Sequence, residues 1–291
     1  MNKYIIVLIL MIVSFVAAGA ARAFDIGSAI NTGVIGLSKV AEASKEITPG
    51  EEHYIGRSIA AMVVNKYPLV QNAALTAYVN KVGLLVAYNS ERPETYGGYH
   101  FGVVESGEAN AFACPGGFIF VTTGLLKQVG SEDELATIIG HEVAHVAHRD
   151  GINAIKKSKW TDLGFYAAGQ AAGKFSPDEV KQLTSVFSDV VTDVGKKVLE
   201  SGYSQSDEKK ADASGVRYAS SAGYDPNGIV AFLQAEQSKG IDAHRGPYAS
   251  HPKTDTRITE LKAEIEKENL SRQIADVRTN RYNQSVAIAR R

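Results

Sequence analysis

Between Ser131 and His148 the apolar residues Leu135, Ile138, Ile139, Val143 and Val146 recur at three- and four-residue intervals, the period of one helical face. A strand cannot satisfy that spacing, so the stretch predicts a helix of about five turns. Ser131, with Glu134 three residues on, forms a capping box that marks where the helix begins, and Asp150-Gly151 marks its end. The same helix carries His141, Glu142 and His145. Side chains four apart on a helix lie one above the other, so the two imidazoles project toward one point, as a clamp for zinc requires. Glu142 sits about 100° round the helix from His141 and reaches a water held there, which makes it the expected general base. Zinc lowers the pKa of such a water from about 15.7 to about 7 and polarises a carbonyl. A five-residue pattern with two free positions also arises by chance. The apolar periodic setting, the uncharged Val143 and Ala144, and the export signal described below weigh for the metal.

The third ligand must come from elsewhere in the chain. A metzincin continuation needs glycine at position 148 and histidine at 151, whereas this chain has His148 and Gly151. A thermolysin-like continuation needs a glutamate about twenty residues past His145, where only Asp162 stands, in the wrong context. A later pair, Glu208 and Asp212, fits a different arrangement, in which the glutamate binds zinc and the aspartate, one turn on, accepts from a ligand imidazole. Two like charges at this spacing repel by roughly 0.2–0.5 kcal/mol on an exposed helix, so the pair gains sense if a dication and an imidazole N–H absorb them. The alternative is a solvated face beside Lys209 and Lys210. Asp189 and Asp193 share the spacing, but with the shorter arm and without the small inner face of Ala211, Ala213 and Gly215.

Charge excludes more than it suggests. With 31 basic and 32 acidic residues in 291 and no block of one sign, nothing favours a nucleic-acid partner. The N-terminus is more specific. Lys3, the apolar run Tyr4 to Ala18, and Ala21-Arg22-Ala23 before Phe24 describe a secretory signal over residues 1–23, expected to be cleaved after Ala23. Left uncleaved, the run would serve as a membrane anchor, since it approaches the roughly 20 residues that span a bilayer. Cys114 is the only cysteine, so no intrachain disulfide supports the export reading, and a periplasm-like setting fits better than a small disulfide-rich secreted domain.

Residues 24–50 read as a lead-in helix, 51–275 as the main domain and 276–291 as a flexible tail. Glu51 to Tyr88 carries two helical patterns split near Pro68. Tyr99 to Glu105 and Phe118 to Thr122 read as strands, with Cys114-Pro115-Gly116-Gly117 as a turn between them. Trp160 to Lys174 is rich in Ala and Gly, and a further helical segment follows from Ser176-Pro177 to about Leu199. Helices are expected from Ser206 to about Ser220, Pro226 to about Gln237 and Thr254 to about Glu268. The expected fold is α+β and mostly helical, with a small antiparallel sheet whose edge strand borders the cleft, and no transmembrane span after the signal.

Several motifs in order carry a resemblance. Asn110-Ala111-Phe112-Ala113 with Pro115-Gly116-Gly117, Gly124-Leu125-Leu126, the 141–145 motif, Glu208-Lys209-Lys210-Ala211-Asp212, Ala222-Gly223-Tyr224-Asp225-Pro226, and Ser250-His251-Pro252 with Arg257 together resemble the HtpX and CAAX-prenyl-endopeptidase family of zinc metallopeptidases. Within it they are similar to the soluble periplasmic BepA-like and LoiP-like branch. The resemblance runs from about Glu51 to Leu261 and implies a zincin-like gluzincin domain holding one Zn2+ per chain. It implies His141, His145 and Glu208 as ligands, Glu142 as base and Asp212 as the partner behind a ligand. It further implies a substrate lying extended beside residues 110–122, contacting Asn110, Ala111 and Phe112, with Gly116 and Gly117 permitting close backbone approach. Asn110 is either a loop anchor or a substrate contact. His251, held extended before Pro252, is either an oxyanion donor, a fourth inhibitory ligand or a helix-entry residue. Arg257 is a second oxyanion donor or an ion-pair partner. Departures are Asp150 where relatives often have histidine, no flanking membrane spans, and no repeat domain. The expected function is endoproteolysis of unfolded, misassembled or precursor envelope proteins. The rivals are a binding module that holds chains without cutting, and a cysteine peptidase built on Cys114, which lacks a nearby histidine or helix N-terminus to activate it.

Overall fold

The computed structural model describes residues 47–155, 188–239, 254–271 and 276–286. The expected signal, most of the lead-in helix, the Trp160 to Lys174 stretch, Asp162 and His251 lie outside the described residues.

Helix α1 (Pro49–Lys66) opens with a complete capping box between Thr48 and Glu51, and α2 (Ala73–Tyr88) is capped by Asn72, whose side chain accepts from Leu75 N. Strands β1 (His100–Val104), β2 (Ala111–Cys114) and β3 (Phe118–Thr122) form one sheet in the order β1-β3-β2. The sheet is mixed rather than wholly antiparallel: β2 and β3 pair antiparallel across the Pro115–Gly117 turn, but β1 pairs with β3 in parallel. The residues of β3 explain its central place. Ile119 and Val121 join one apolar cluster and Phe120 the other, so both of its faces are buried.

The outer edge of β1 is covered. Val70 N donates to Val103 O, Glu105 N donates to Pro68 O, and the Asn80 amide pairs with the Phe101 backbone. Among the described residues no second strand pairs with β2, whose outer edge is left toward Glu142, His145 and the segment 197–203.

After the short α3 (Thr123–Gln128), helix α4 (Glu132–His148) runs through the centre of the molecule, capped by Ser131 as the sequence predicts. It ends at Arg149, a non-glycine residue in the left-handed conformation (φ 61°), and the chain turns directly into α5 (Asp150–Asn153). Helical residues 188–196 lead into a π-helical turn, Lys197–Ser201, and then α6 (Gln205–Ser221), α7 (Gly228–Ser238) and α8 (Thr254–Lys267).

Residues 276–286, expected to belong to a flexible tail, instead form helix α9 (Asp276–Val286). Tyr282 and Val286 are fully buried, and the Tyr282 hydroxyl donates to the carbonyls of Leu126 (3.1 Å) and Val129 (2.6 Å). Arg281 grips Glu132, the first residue of α4, with Nε 2.8 Å from Oε2. Two apolar positions four apart were enough to dock an otherwise polar helix.

The crossing of α4 and α6 sets the site. A Cβ added to Gly140 would meet Gly215 O at 2.6 Å, and one added to Gly215 would meet His141 N at 2.6 Å. The helix backbones therefore touch, which carries the first turns of α6 against the histidine face of α4.

Candidate metal centre

On α4 the His141 and His145 rings stand nearly perpendicular (87°) with centroids 4.6 Å apart. Their Nε2 atoms are 3.0 Å from each other. From α6, whose N-terminus is capped by the Ser204 hydroxyl accepting from Asp207 N, Glu208 comes in with Oε2 3.3 Å from His141 Nε2 and Oε1 3.7 Å from His145 Nε2. Glu208 is fully buried, and both histidines are 3% exposed.

The other ring nitrogens are already committed. His141 Nδ1 lies 2.8 Å from Asp212 Oδ1, and His145 Nδ1 lies 2.8 Å from Asp150 Oδ2. A carboxylate can only accept, so each Nδ1 carries the proton and each Nε2 presents a lone pair. Three acceptors thus converge, which only a cation or an added proton relieves. Their separations bracket the roughly 3.3 Å edge of a tetrahedron with metal–ligand bonds of about 2.0–2.1 Å. Among the described residues this is the one cluster of three such groups that could hold a metal. The donor set fits zinc.

Electrostatics agree. Burial alone would lower the His141 pKa, but the hydrogen bonds and charges of Asp212 and Glu208 outweigh it and hold the ring up at about 10. Burial would raise the Asp212 pKa, yet the Arg257 guanidinium and His141 hold it well below the usual carboxylate range. Arg257 is buried and donates twice to Asp212, from Nε at 2.9 Å and from a terminal nitrogen at 2.6 Å. It sits behind Asp212 as an ion-pair partner.

Glu142 is 6% exposed and lines a narrow cleft together with His145, Glu208, Asn110, Ala111, Phe112 and the segment 197–203. Edge strand β2 forms one wall of that cleft. Asn110 anchors the start of the strand: its Oδ1 accepts from Ala111 N at 2.9 Å, and its backbone exchanges hydrogen bonds with Thr122.

Gly116 and Gly117 do not line the cleft. Both are buried with positive φ (75° and 102°), and a Cβ on either would lie 2.8 Å from His53 Cα or from Gly98 O. The close backbone approach expected with a substrate is made instead with α1 and the 95–98 loop of the same chain. Asp189 and Asp193 are exposed, unlike Glu208 and Asp212. His148 points elsewhere, with Nε2 near the Ser214 hydroxyl and Glu91. Cys114 is fully buried, and that burial, with Glu142 nearby, pushes its thiol far up, which disfavours a thiolate nucleophile.

Two residues at the centre have roles that the sequence does not assign to them. Asp150 is the carboxylate behind His145, and the signal for it was an acidic residue immediately after the helix end. Tyr203 tilts its ring over His145 (centroids 4.5 Å apart, planes at 40°), and its N–H points to Glu208 Oε1 at 3.4 Å.

Comparison with known proteins agrees with this geometry. Residues 73–265 match Peptidase family M48. The chain is 26% identical over 204 residues to the beta-barrel assembly-enhancing protease of Yersinia pestis, covering 67% of this chain and 40% of that protein. It is 23% identical over 226 residues to the protein of the same name from Escherichia coli (strain K12), covering 76% and 45%. It is 33% identical over 150 residues to the mitochondrial metalloendopeptidase OMA1 of Arabidopsis thaliana, covering 52% and 28%. The chain thus spans less than half the length of these relatives. With His141, His145 and Glu208 as its candidate metal site, the chain belongs to Peptidase family M48.

Proposed function

We propose that this protein is a zinc endopeptidase, with one zinc per chain, that cuts unfolded, misassembled or precursor polypeptides of the cell envelope in the periplasm. The observation that carries the reading is the convergence of three buried acceptors from two helices, with both histidine Nδ1 positions already bonded to carboxylates. When bound, the zinc polarises the scissile carbonyl and lowers the pKa of its water toward about 7. Glu142 takes the proton from the attacking water and returns it to the departing amine. Asp212 and Asp150 hold the imidazoles with their Nε2 lone pairs inward, and Arg257 acts through Asp212. The outer edge of β2 at Ala111 and Phe112 receives an extended substrate as an added strand, with Asn110 fixing the strand's start. Gly116 and Gly117 shape the turn.

The envelope setting rests on the signal-like N-terminus and on the two relatives named as beta-barrel assembly-enhancing proteases. No helix among the described residues is long and apolar enough to cross a membrane. His251 keeps its three alternative roles: His251→Ala lowers kcat at unchanged zinc affinity if it is an oxyanion donor, raises activity while weakening zinc if it is an inhibitory ligand, and changes neither if it is a helix-entry residue.

The purified chain is expected to hold stoichiometric zinc and cleave casein, and Glu142→Gln to keep the zinc and lose the cleavage. Cleavage that survives Glu142→Gln sinks the mechanism, and casein held but never cut by the wild-type protein points to a binding module. Zinc retained in Glu208→Ala overturns the third ligand.

A further inference from the structure

Helix α4 ends two residues before Asp150, with Arg149 as its cap, and that boundary is pinned from outside. Arg149 occupies the left-handed conformation that favours glycine, so something must hold it there. Its Nε donates to Glu52 Oε2 at 2.9 Å and a terminal nitrogen donates to Ile47 O at 2.6 Å. Glu52, on α1, is fully buried and also accepts from Arg92 at 2.8 and 3.1 Å and from Gly116 N at 3.2 Å. Arg92 in turn donates to Val146 O in the last turn of α4 at 3.2 Å. One buried carboxylate therefore ties together the end of the metal helix, the turn between β2 and β3, and the loop carrying Arg92. Directly after Arg149 comes Asp150, 7% exposed, with Oδ2 on His145 Nδ1.

We propose that Asp150 is a positioning residue for the metal ligand His145, and that Glu52, through Arg149, is the tether that keeps Asp150 in register with it. The inference rests on the zinc reading of the site. Asp150 selects the His145 tautomer and ring angle, and makes the imidazole a stronger donor to the metal. The Arg149 tether fixes the backbone from which Asp150 reaches the ring. The site then has two matched supports: Asp212 backed by Arg257 behind His141, and Asp150 held by Arg149 and Glu52 behind His145.

Zinc titration of the full chain against a competing chelating dye tests this, with the thermal midpoint of each metal-free protein measured in parallel. Asp150→Ala is expected to bind zinc about 10- to 100-fold more weakly than wild type, and Asp150→Asn, which keeps an acceptor for Nδ1–H, to recover part of the loss. Arg149→Gly keeps the left-handed cap without strain and cuts the tether, so a smaller loss of zinc affinity is expected at a nearly unchanged metal-free midpoint. Glu52→Gln should weaken zinc as Arg149→Gly does, with a lower metal-free midpoint because Arg92 and Arg149 lose their carboxylate. Wild-type zinc affinity in Asp150→Ala overturns the positioning role. A loss in Asp150→Ala with none in Arg149→Gly and Glu52→Gln overturns the tether. If the wild-type protein binds no more zinc than His141→Ala, the underlying zinc reading has failed instead.

Discussion

The two ends of α4 are built alike and serve differently. At its N-terminus, Glu132 is fully buried and accepts from the Tyr78 hydroxyl (3.0 Å), the Tyr224 hydroxyl (3.2 Å) and the Arg281 guanidinium (Nε at 2.8 Å). At its C-terminus, the equally buried Glu52 takes Arg149 and Arg92. Each end is a carboxylate closed over by arginine. The first, however, locks α2, the turn before α7, and α9 onto the start of a helix whose ligands begin nine residues later. The second lies one residue from Asp150 and its bond to His145. An equivalent interaction holds the fold at one end and the geometry of the metal ligands at the other.

Removing the carboxylates tests that contrast most sharply. Glu132→Ala leaves Arg281 and two tyrosine hydroxyls without their partner and should cost about 3–5 kcal/mol in denaturant unfolding, while zinc affinity of the folded protein stays at the wild-type value. Glu52→Ala should cost a similar amount and weaken zinc as well. Equal zinc affinities in the two variants would erase the distinction.

Between the ends, Gly215→Ala forces the touching backbones of α4 and α6 apart, since its Cβ would lie 2.6 Å from His141 N. A loss of about 1–3 kcal/mol is expected, together with weaker zinc binding as Glu208 retreats, and an unchanged dye titration would argue that the crossing does not set the ligand distances.

A pH series on metal-stripped protein probes the same helix face. His141 is held at about 10 when folded against an unfolded value of 6.5, so its contribution is complete below pH 6.5 and is lost as the pH rises toward 10. The thermal midpoint of the stripped protein should therefore fall by several degrees over that window, where the zinc-loaded protein should not follow it. A flat profile in the stripped protein would argue against a raised His141 pKa.

The smallest effect belongs to the N-terminal end. Tyr282→Phe removes the hydrogen bonds to Leu126 O and Val129 O and should cost about 0.5–1.5 kcal/mol with no change in zinc affinity.

What the sequence made legible was local. The period of α4, its Ser131 cap, the i,i+4 histidines and the Glu208–Asp212 pair all lie within single helices, where spacing alone dictates direction. Asp150 escaped because a helical projection ends at His148; only the left-handed turn at Arg149 folds the next carboxylate back under His145. Glu52 lies 97 residues from Arg149, and no local pattern connects the two. The parallel pairing of β1 with β3 was hidden for a related reason. A turn announces the strands it joins, β2 and β3, but not which strand fills the remaining edge. The mostly polar residues of α9 predict fraying, yet the packing of Tyr282 and Val286 decides its state.

The burial of Cys114 has a consequence for the compartment in which the chain works. It is the only thiol in 291 residues and is completely enclosed between the sheet and α1. The folded chain has no disulfide to lose to a reductant and no accessible thiol to offer an oxidant, so thiol oxidants and reductants find no handle on the native state. They act on the unfolded chain alone, where a single sulfur can pair only with another molecule. In an oxidising setting, closure of the apolar cluster around Cys114 is the step that withdraws this thiol from such pairing.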